Sequence, residues 1–177
     1  MVTLMEYAAV LHFNDSSAKQ IQKITEHAAV CSNNDYMISN HIPPHITIAD
    51  FCTDNDTDVI GIVSDIAVSL SKFDIPIVSL GIFNPNVVFA APVMNEGLLN
   101  ACKTANHILQ TKGFVCNKIY MPYNWVPHIS LAVKLNENSI QKAAKAALEK
   151  FQPVMATAEK LSIAICNPYK EIETADL

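Results

Sequence analysis

Along this chain, continuous apolar runs that suit strands alternate with apolar stripes that suit helices. Residues 4–13, Leu4 to Phe13, read as a buried strand, and Asn14-Asp15-Ser16-Ser17 then supplies helix N-cap residues. The helix that follows places Ile21, Ile24, Ala28 and Cys31 on one face. A polar loop from Ser32 to Pro44 leads into a strand at about His45 to Cys52. Asp54 to Asp58 opens a second helix with Val59, Ile62, Val63, Ile66 and Leu70 turned inward. Strand-like runs at Ile75–Phe83 and Val87–Ala91 flank Asn84-Pro85-Asn86, a hairpin turn. A third helix, about Glu96 to Lys112, carries Leu98, Cys102, Ala105 and Leu109 inward and stops at Gly113. An aromatic loop precedes a strand from His128 to Val133. A fourth helix, Ser139 to Lys150, buries Ile140, Ala143, Ala144, Ala147 and Phe151, and the last strand runs Leu161–Ile165.

Each half therefore runs helix, loop, histidine-containing strand, helix. The matching strands share a motif: Pro44-His45-Ile46-Thr47-Ile48-Ala49 returns as Pro127-His128-Ile129-Ser130-Leu131-Ala132. Residues i and i+2 of a strand point to the same face, so imidazole and hydroxyl project together while the aliphatics face the core. Two such strands facing each other gather two imidazoles and two hydroxyls around one small volume, a geometry suited to phosphodiester chemistry. Histidine titrates near neutral pH and serves as either base or acid. The hydroxyls are placed to donate to non-bridging phosphate oxygens. The arrangement calls for neither metal nor other cofactor.

These paired H-x-[T/S]-x sequences resemble the signatures of the 2H phosphoesterase superfamily, which includes 2'-5' RNA ligase-like proteins and cyclic nucleotide phosphodiesterases. The resemblance covers nearly the whole chain. It implies that His45 and His128 are the catalytic acid and base and that Thr47 and Ser130 hold the phosphate. It also implies two lobes related by a pseudo-two-fold axis, with the active-site cleft between them. The hairpins and mixed connections independently argue for an α+β fold with largely antiparallel sheets and flanking helices. The expected organisation is a single domain over 1–177 built from two repeats, about 1–85 and 86–177.

Composition narrows the substrate. The 177 residues carry a net charge of −5, and all 12 basic residues are lysines. A protein that follows long nucleic acid uses a basic patch to neutralise phosphates, and none is visible here. The expected partner is a small nucleotide or an RNA terminus. Tyr120, Tyr123 and Trp125 precede the second motif and can stack a nucleobase, with Tyr36 as their counterpart before the first. Packing beneath a long loop is the structural alternative for these rings. Lys112 and Lys118 are candidate phosphate contacts, although solvated lysines are the commoner outcome.

Half of the residues are hydrophobic, mean hydropathy is +0.20 and there are only 4 glycines, so a well-packed core is expected. No apolar run reaches the ~18 residues of a membrane span, and the first residues lack the basic start of a signal peptide. Five scattered cysteines without a C-x-x-C pair argue against a disulfide framework or a metal cluster. A cytoplasmic monomer is expected.

Other signals are discounted. His41 and His45 have the spacing of a helical zinc pair, but Pro43 and Pro44 lie between them. Asp54, Asp56 and Asp58 imitate a calcium loop whose required glycine and final glutamate are absent. His27 and His107 fall on helices and His12 on the first strand. Surface or core roles are the default for all three, with His12 placed to approach the cleft. The rival functional reading is a nucleotide-binding or sensing module that turns nothing over. A third is a phosphodiesterase acting on a non-nucleotide cyclic phosphate, which would not need the stacking aromatics.

Overall fold

The computed structural model describes residues 5–177, and of Asp56 the backbone only. Leu4, expected to open the first strand, lies outside them. In chain order the elements are β1 (Met5–Phe13), α1 (Asp15–Ser32), α2 (Tyr36–Ser39), β2 (His45–Thr53), α3 (Ile62–Ala67), β3 (Phe73–Phe83), β4 (Val87–Pro92), α4 (Glu96–Thr111), β5 (Val115–Cys116), β6 (Ile129–Ala132), α5 (Glu137–Lys150), β7 (Val154–Cys166) and β8 (Tyr169–Asp176). The strands form one sheet in the order β5-β2-β1-β7-β3-β4-β6, and β8 pairs with β7. Every pairing is antiparallel, as an α+β fold built on hairpins requires.

With the short α2 and β5 set aside, the order β-α-β-α-β occurs twice, as β1-α1-β2-α3-β3 and β4-α4-β6-α5-β7. In each set the first strand pairs with the motif strand of its own set. On its other side it pairs with the last strand of the opposite set, β1 with β7 and β4 with β3. The helices cross over in the same way, α1 packing on α5 and β6, and α4 on α3 and β2. Each lobe thus draws on both halves of the sequence. β7 joins the lobes, pairing with β1 through Ala158–Ile165 and with β3 through Val154–Ala158.

Alternation along β1 separates core from cavity. Tyr7, Ala9, Leu11 and Phe13 enter the helix-covered core, whereas Glu6, Ala8 and Val10 line a cavity on the opposite face. The motif strands β2 and β6 are separated by four strands in the sheet, yet they touch each other and line that same cavity. The sheet must curl to bring them together, and matching bulges contribute. Ala9 pairs with Ala49 but Val10 with Thr47, and Val88 pairs with Ala132 but Phe89 with Ser130. Ile48 and Leu131 are the extra residues, each following the motif hydroxyl and each buried. Such bulges bend a strand and re-aim its side chains.

Several elements differ from the sequence pattern. The helix expected from Asp54 breaks into a 3-10 turn, Asp56–Val59, and α3. Gly61 separates them in a left-handed conformation (φ 81°), and its N–H donates to Glu173 Oε2 at 2.8 Å. Leu70 accordingly lies beyond α3. Cys31 is exposed, while Ser32 is buried and donates to the Ala28 carbonyl at 2.6 Å. The inward stripe of α1 follows an i+4 step there rather than the i+3 step assumed. The fourth helix starts earlier, at Glu137, because Asn136 and Ser139 form a capping box. The short helix α2 and the strands β5 and β8 were not legible as elements, and β7 is far longer than Leu161–Ile165.

Gly81 has a packing role. A Cβ there would lie 2.3 Å from Phe89 Cζ, so the bare strand lets the Phe89 ring lie across it. Phe89 stacks on Phe83 with centroids 4.2 Å apart, and both rings abut His128. Gly81→Ala is expected to destabilise the protein by roughly 1–3 kcal/mol, the range for overpacking a filled site. Urea denaturation measures this, and an unchanged midpoint would show that Phe89 shifts without cost.

Candidate active site

His45 is the first residue of β2, and His128 immediately precedes β6. Their local settings match. His45 Nδ1 lies 2.8 Å from the Pro43 carbonyl, and His128 Nδ1 lies 2.8 Å from the Val126 carbonyl. A carbonyl oxygen only accepts, so each Nδ1 carries the proton and the neutral ring presents a free Nε2 lone pair. The prolines at 44 and 127 help to set this up, since each holds the chain extended just before its histidine.

His45, Thr47, Ser130 and Tyr36 line the same cavity, of about 370 Å³. Thr47 and Ser130 are half-buried, and neither hydroxyl has a partner among the described residues. Both are free to donate to a ligand. His128, Tyr120 and Trp125 line a second pocket of about 340 Å³, together with Phe83, Asn124 and Val126. The two cavities share Val87 as a wall. Trp125 is 6 % exposed, and its buried indole N–H has no partner among the described residues. Tyr123 joins neither cavity: it is 80 % exposed, with Lys103 Nζ 5.0 Å from its ring centroid.

The candidate phosphate lysines also fall elsewhere. Lys112 pairs with Asp65 at 2.6 Å, and neither it nor Lys118 lines these two cavities. The lysine that lines the larger cavity is Lys134, whose Nζ sits 4.0 Å from the Tyr36 ring centroid. Its place four residues after Ser130 was a signal available in the sequence. Glu6, Asn86, Asn167 and Tyr169 complete the polar lining. Asn86 and Asn167 belong to turns that both contain Asn-Pro, at 84–85 and 167–168.

Burial lowers the pKa of both motif histidines. His45 is brought to about 4 by desolvation, against the Pro43 hydrogen bond that favours its charged form, with His12 and His128 lowering it further and Glu171 raising it. His128 is lowered by desolvation, partly offset by its hydrogen bond to Val126. Both rings are therefore neutral at pH 7. An anion placed between two such rings would favour the imidazolium form of one of them.

One trio among the described residues has the spacing of a metal-ligand set. Glu6, Asp50 and Cys166 bring three potential ligand atoms within 4.8 Å of one another. Asp50 is already partnered, by the side chains of Asn117 and Glu6. Asn106, also buried, uses its amide to hold the Ile48 carbonyl at the β2 bulge (3.2 Å) and the Tyr120 carbonyl (3.0 Å). It ties β2, which carries Thr47, to Tyr120 in the wall of the second pocket.

No curated protein matches this sequence significantly. Solved structures do match its fold. E. coli LigT complexed with 3'-AMP is 11 % identical over 99 % of each chain, with a TM-score of 0.66. E. coli LigT complexed with ATP gives 0.62 at 11 % identity and 99 % coverage of each. TT0787 of Thermus thermophilus gives 0.59 at 13 % identity, covering 98 % of each. These likenesses establish a shared fold. A family model matches residues 13–166, from the last residue of β1 to the end of β7, and so spans both motifs. The chain belongs to the 2'-5' RNA ligase superfamily.

Proposed function

We propose that the protein is a phosphodiesterase that opens a 2',3'-cyclic phosphate, or cleaves a 2'-5' linkage, on a small RNA-derived nucleotide without a metal ion. The observation that carries this reading is the matched pair of Nδ1–carbonyl hydrogen bonds, which leaves each histidine with a free Nε2 in adjoining cavities, the one at His45 also lined by two unpartnered hydroxyls. Family membership supports a phosphodiesterase-type activity. The nucleotides bound to E. coli LigT are small ones, as expected for this acidic, arginine-free chain.

In the reaction, neutral Nε2 of one histidine takes a proton from water as its oxygen attacks phosphorus. The imidazolium of the other donates its proton to the departing ribose oxygen, and a phosphomonoester results. Thr47 and Ser130 donate to the non-bridging oxygens, and Lys134 adds the positive charge that arginine supplies in other phosphate sites. The apolar pocket beside His128 suits a flat heterocycle, with Trp125 and Tyr120 as its aromatic walls. Ligation differs in its nucleophile, a ribose 5'-hydroxyl in place of water. That hydroxyl gives its proton to one histidine as it attacks phosphorus, the other histidine protonates the departing 3'-oxygen of the cyclic phosphate, and a 2'-5' diester results.

The test is incubation in chelator with a panel of 2',3'-cyclic nucleotides and short 2'-5' linked oligonucleotides. Turnover in the presence of chelator is expected, and the product isomer identifies the oxygen that leaves. Nucleotide binding without turnover across the panel would overturn the reading in favour of a sensing module.

A further inference from the structure

The two motif histidines have unlike neighbours. His128 meets Phe83 edge-on, with centroids 4.9 Å apart, and Phe89 at 5.6 Å. His45 instead stacks on Tyr169, at 5.6 Å and 25°, and approaches His12 at 6.5 Å. The strand register shows where the asymmetry enters. Val10, Leu11 and His12 pair with Thr47, Ile46 and His45, just as Phe89 and Ala90 pair with Ser130 and Ile129. Continuing that register puts Ala91 opposite His128, where the first motif has His12. Strand β8, which carries Tyr169, pairs with β7 alone and has no counterpart among the described strands beside β3.

Glu171 is the hub of the additional groups. Its Oε1 accepts from the Tyr169 hydroxyl at 3.1 Å and lies 3.3 Å from His12 Nε2. Its Oε2 faces Ser162 and Thr174, each at 3.3 Å. Ser162 Oγ is also 3.0 Å from His12 Nε2. We propose that Glu171, Tyr169 and His12 form a positioning assembly specific to His45: Glu171 anchors the Tyr169 hydroxyl so that the phenol ring clamps one imidazole face, while His12 and Glu171 set the charge that His45 experiences. The Pro43 carbonyl holds the ring's edge and Tyr169 its face, so Nε2 keeps one direction. His128 has walls that hold its ring but no charged group among those contacts. The assembly thereby distinguishes two histidines that their motifs make equivalent, and its catalytic meaning rests on the phosphodiesterase reading above.

The charged and titratable groups facing His45 are His12 on β1, His128 before β6, and Tyr169 and Glu171 on β8. Glu6, Lys134 and Cys166 line the same cavity, and Lys160 faces His12. Of these, His12 lowers the His45 pKa and Glu171 raises it. The assembly therefore predicts shifts of opposite sign for two substitutions. Histidine-labelled protein is titrated by NMR as wild type, His12→Ala, Glu171→Gln and Tyr169→Leu. His12→Ala, which installs the residue found opposite His128, is expected to raise the His45 pKa, and Glu171→Gln to lower it. Tyr169→Leu is expected to remove the ring-current shift of His45, and Tyr169→Phe, which keeps the ring but loses its anchor on Glu171, to reduce it. With a turned-over substrate, Glu171→Gln and Tyr169→Leu are expected to lower kcat by ~10–100-fold, the cost of a misaligned reacting group. A His45 pKa unmoved, or moved in the same direction, in His12→Ala and Glu171→Gln would overturn the proposal. Opposite shifts without any turnover would leave the assembly standing and remove the phosphodiesterase reading.

Discussion

Alanine at His45 or at His128 is expected to lower turnover of a cyclic phosphate by roughly 10²–10⁴-fold, the usual contribution of a positioned acid or base. The double variant is expected to fall little below the worse single one, because the two groups act in one proton-transfer sequence and their losses do not add. A sharper variant is asparagine. His45→Asn keeps a side-chain donor for the Pro43 carbonyl but has no atom where Nε2 stood. If Nε2 does the chemistry, His45→Asn and His128→Asn are as inactive as the alanine variants while melting like wild type. Appreciable activity in either asparagine variant would place the chemistry elsewhere on the ring or outside it. The pH profile offers a second check. Since burial lowers both rings, His45 to about 4, the acid limb of kcat/KM is expected below pH 6.5.

The parts of this arrangement legible in the sequence are those that strand parity encodes. Histidine and hydroxyl two positions apart share a face wherever the strand is regular, and both bulges fall after the hydroxyl. The motif geometry is therefore undisturbed in both copies. The helix stripes were legible for the same reason, since Leu98, Cys102, Ala105 and Leu109 are buried on α4 as their spacing requires. Loop residues were harder to place. Trp125 and Tyr120 line a pocket, but Tyr123, between them in sequence, adopts φ 71° and points its ring to solvent. Periodicity says nothing about such a segment.

The surroundings of His45 were least legible, because they assemble through strand pairing over long separations. His12 and Ser162 stand 150 residues apart and meet only because β1 pairs with β7. Tyr169 and Glu171 lie on β8, which has few apolar positions and a half-exposed pattern, so it did not read as a strand. The repetition of Asn-Pro at 84–85 and 167–168 was a usable hint of a second hairpin turn. The exchanged strands were hidden as well. Two repeats in sequence suggest two separate lobes, but the last strand of each repeat pairs with the first strand of the other, β3 with β4 and β7 with β1.

Asp50→Asn is expected to stabilise the protein above neutral pH and to leave it unchanged in acid. Asp50 is 6 % exposed beneath the cavity, and burial raises its pKa to about 7, with Glu6 adding repulsion and the Asn117 hydrogen bond working the other way. The usual sign for an aspartate is therefore reversed. Below the unfolded value of 3.8 both states hold the proton, and the group adds no pH dependence. Between about pH 4 and pH 7 the unfolded chain has lost that proton while the folded one keeps it, so stability falls as pH rises. Above pH 7 the loss levels off, at no more than ~4 kcal/mol at 1.36 kcal/mol for each unit. Asparagine retains the shape and the hydrogen-bonding capacity but cannot ionise. Urea denaturation at pH 4, 6 and 8 should therefore show the two proteins diverging as pH rises, with the variant the more stable at pH 8. Parallel curves would mean that Asp50 ionises at an ordinary pH, its charge held by Asn117. Glu6→Gln gives an independent check, because removing the neighbouring charge lowers the Asp50 pKa, so the divergence levels off at a lower pH and ends smaller. Since Glu6 itself lines the cavity, the ionisation of Asp50 beside it makes this end of the site more negative as pH rises through 7. An anionic substrate is accordingly expected to bind more weakly as pH rises through 7, and Asp50→Asn to remove that part of the dependence.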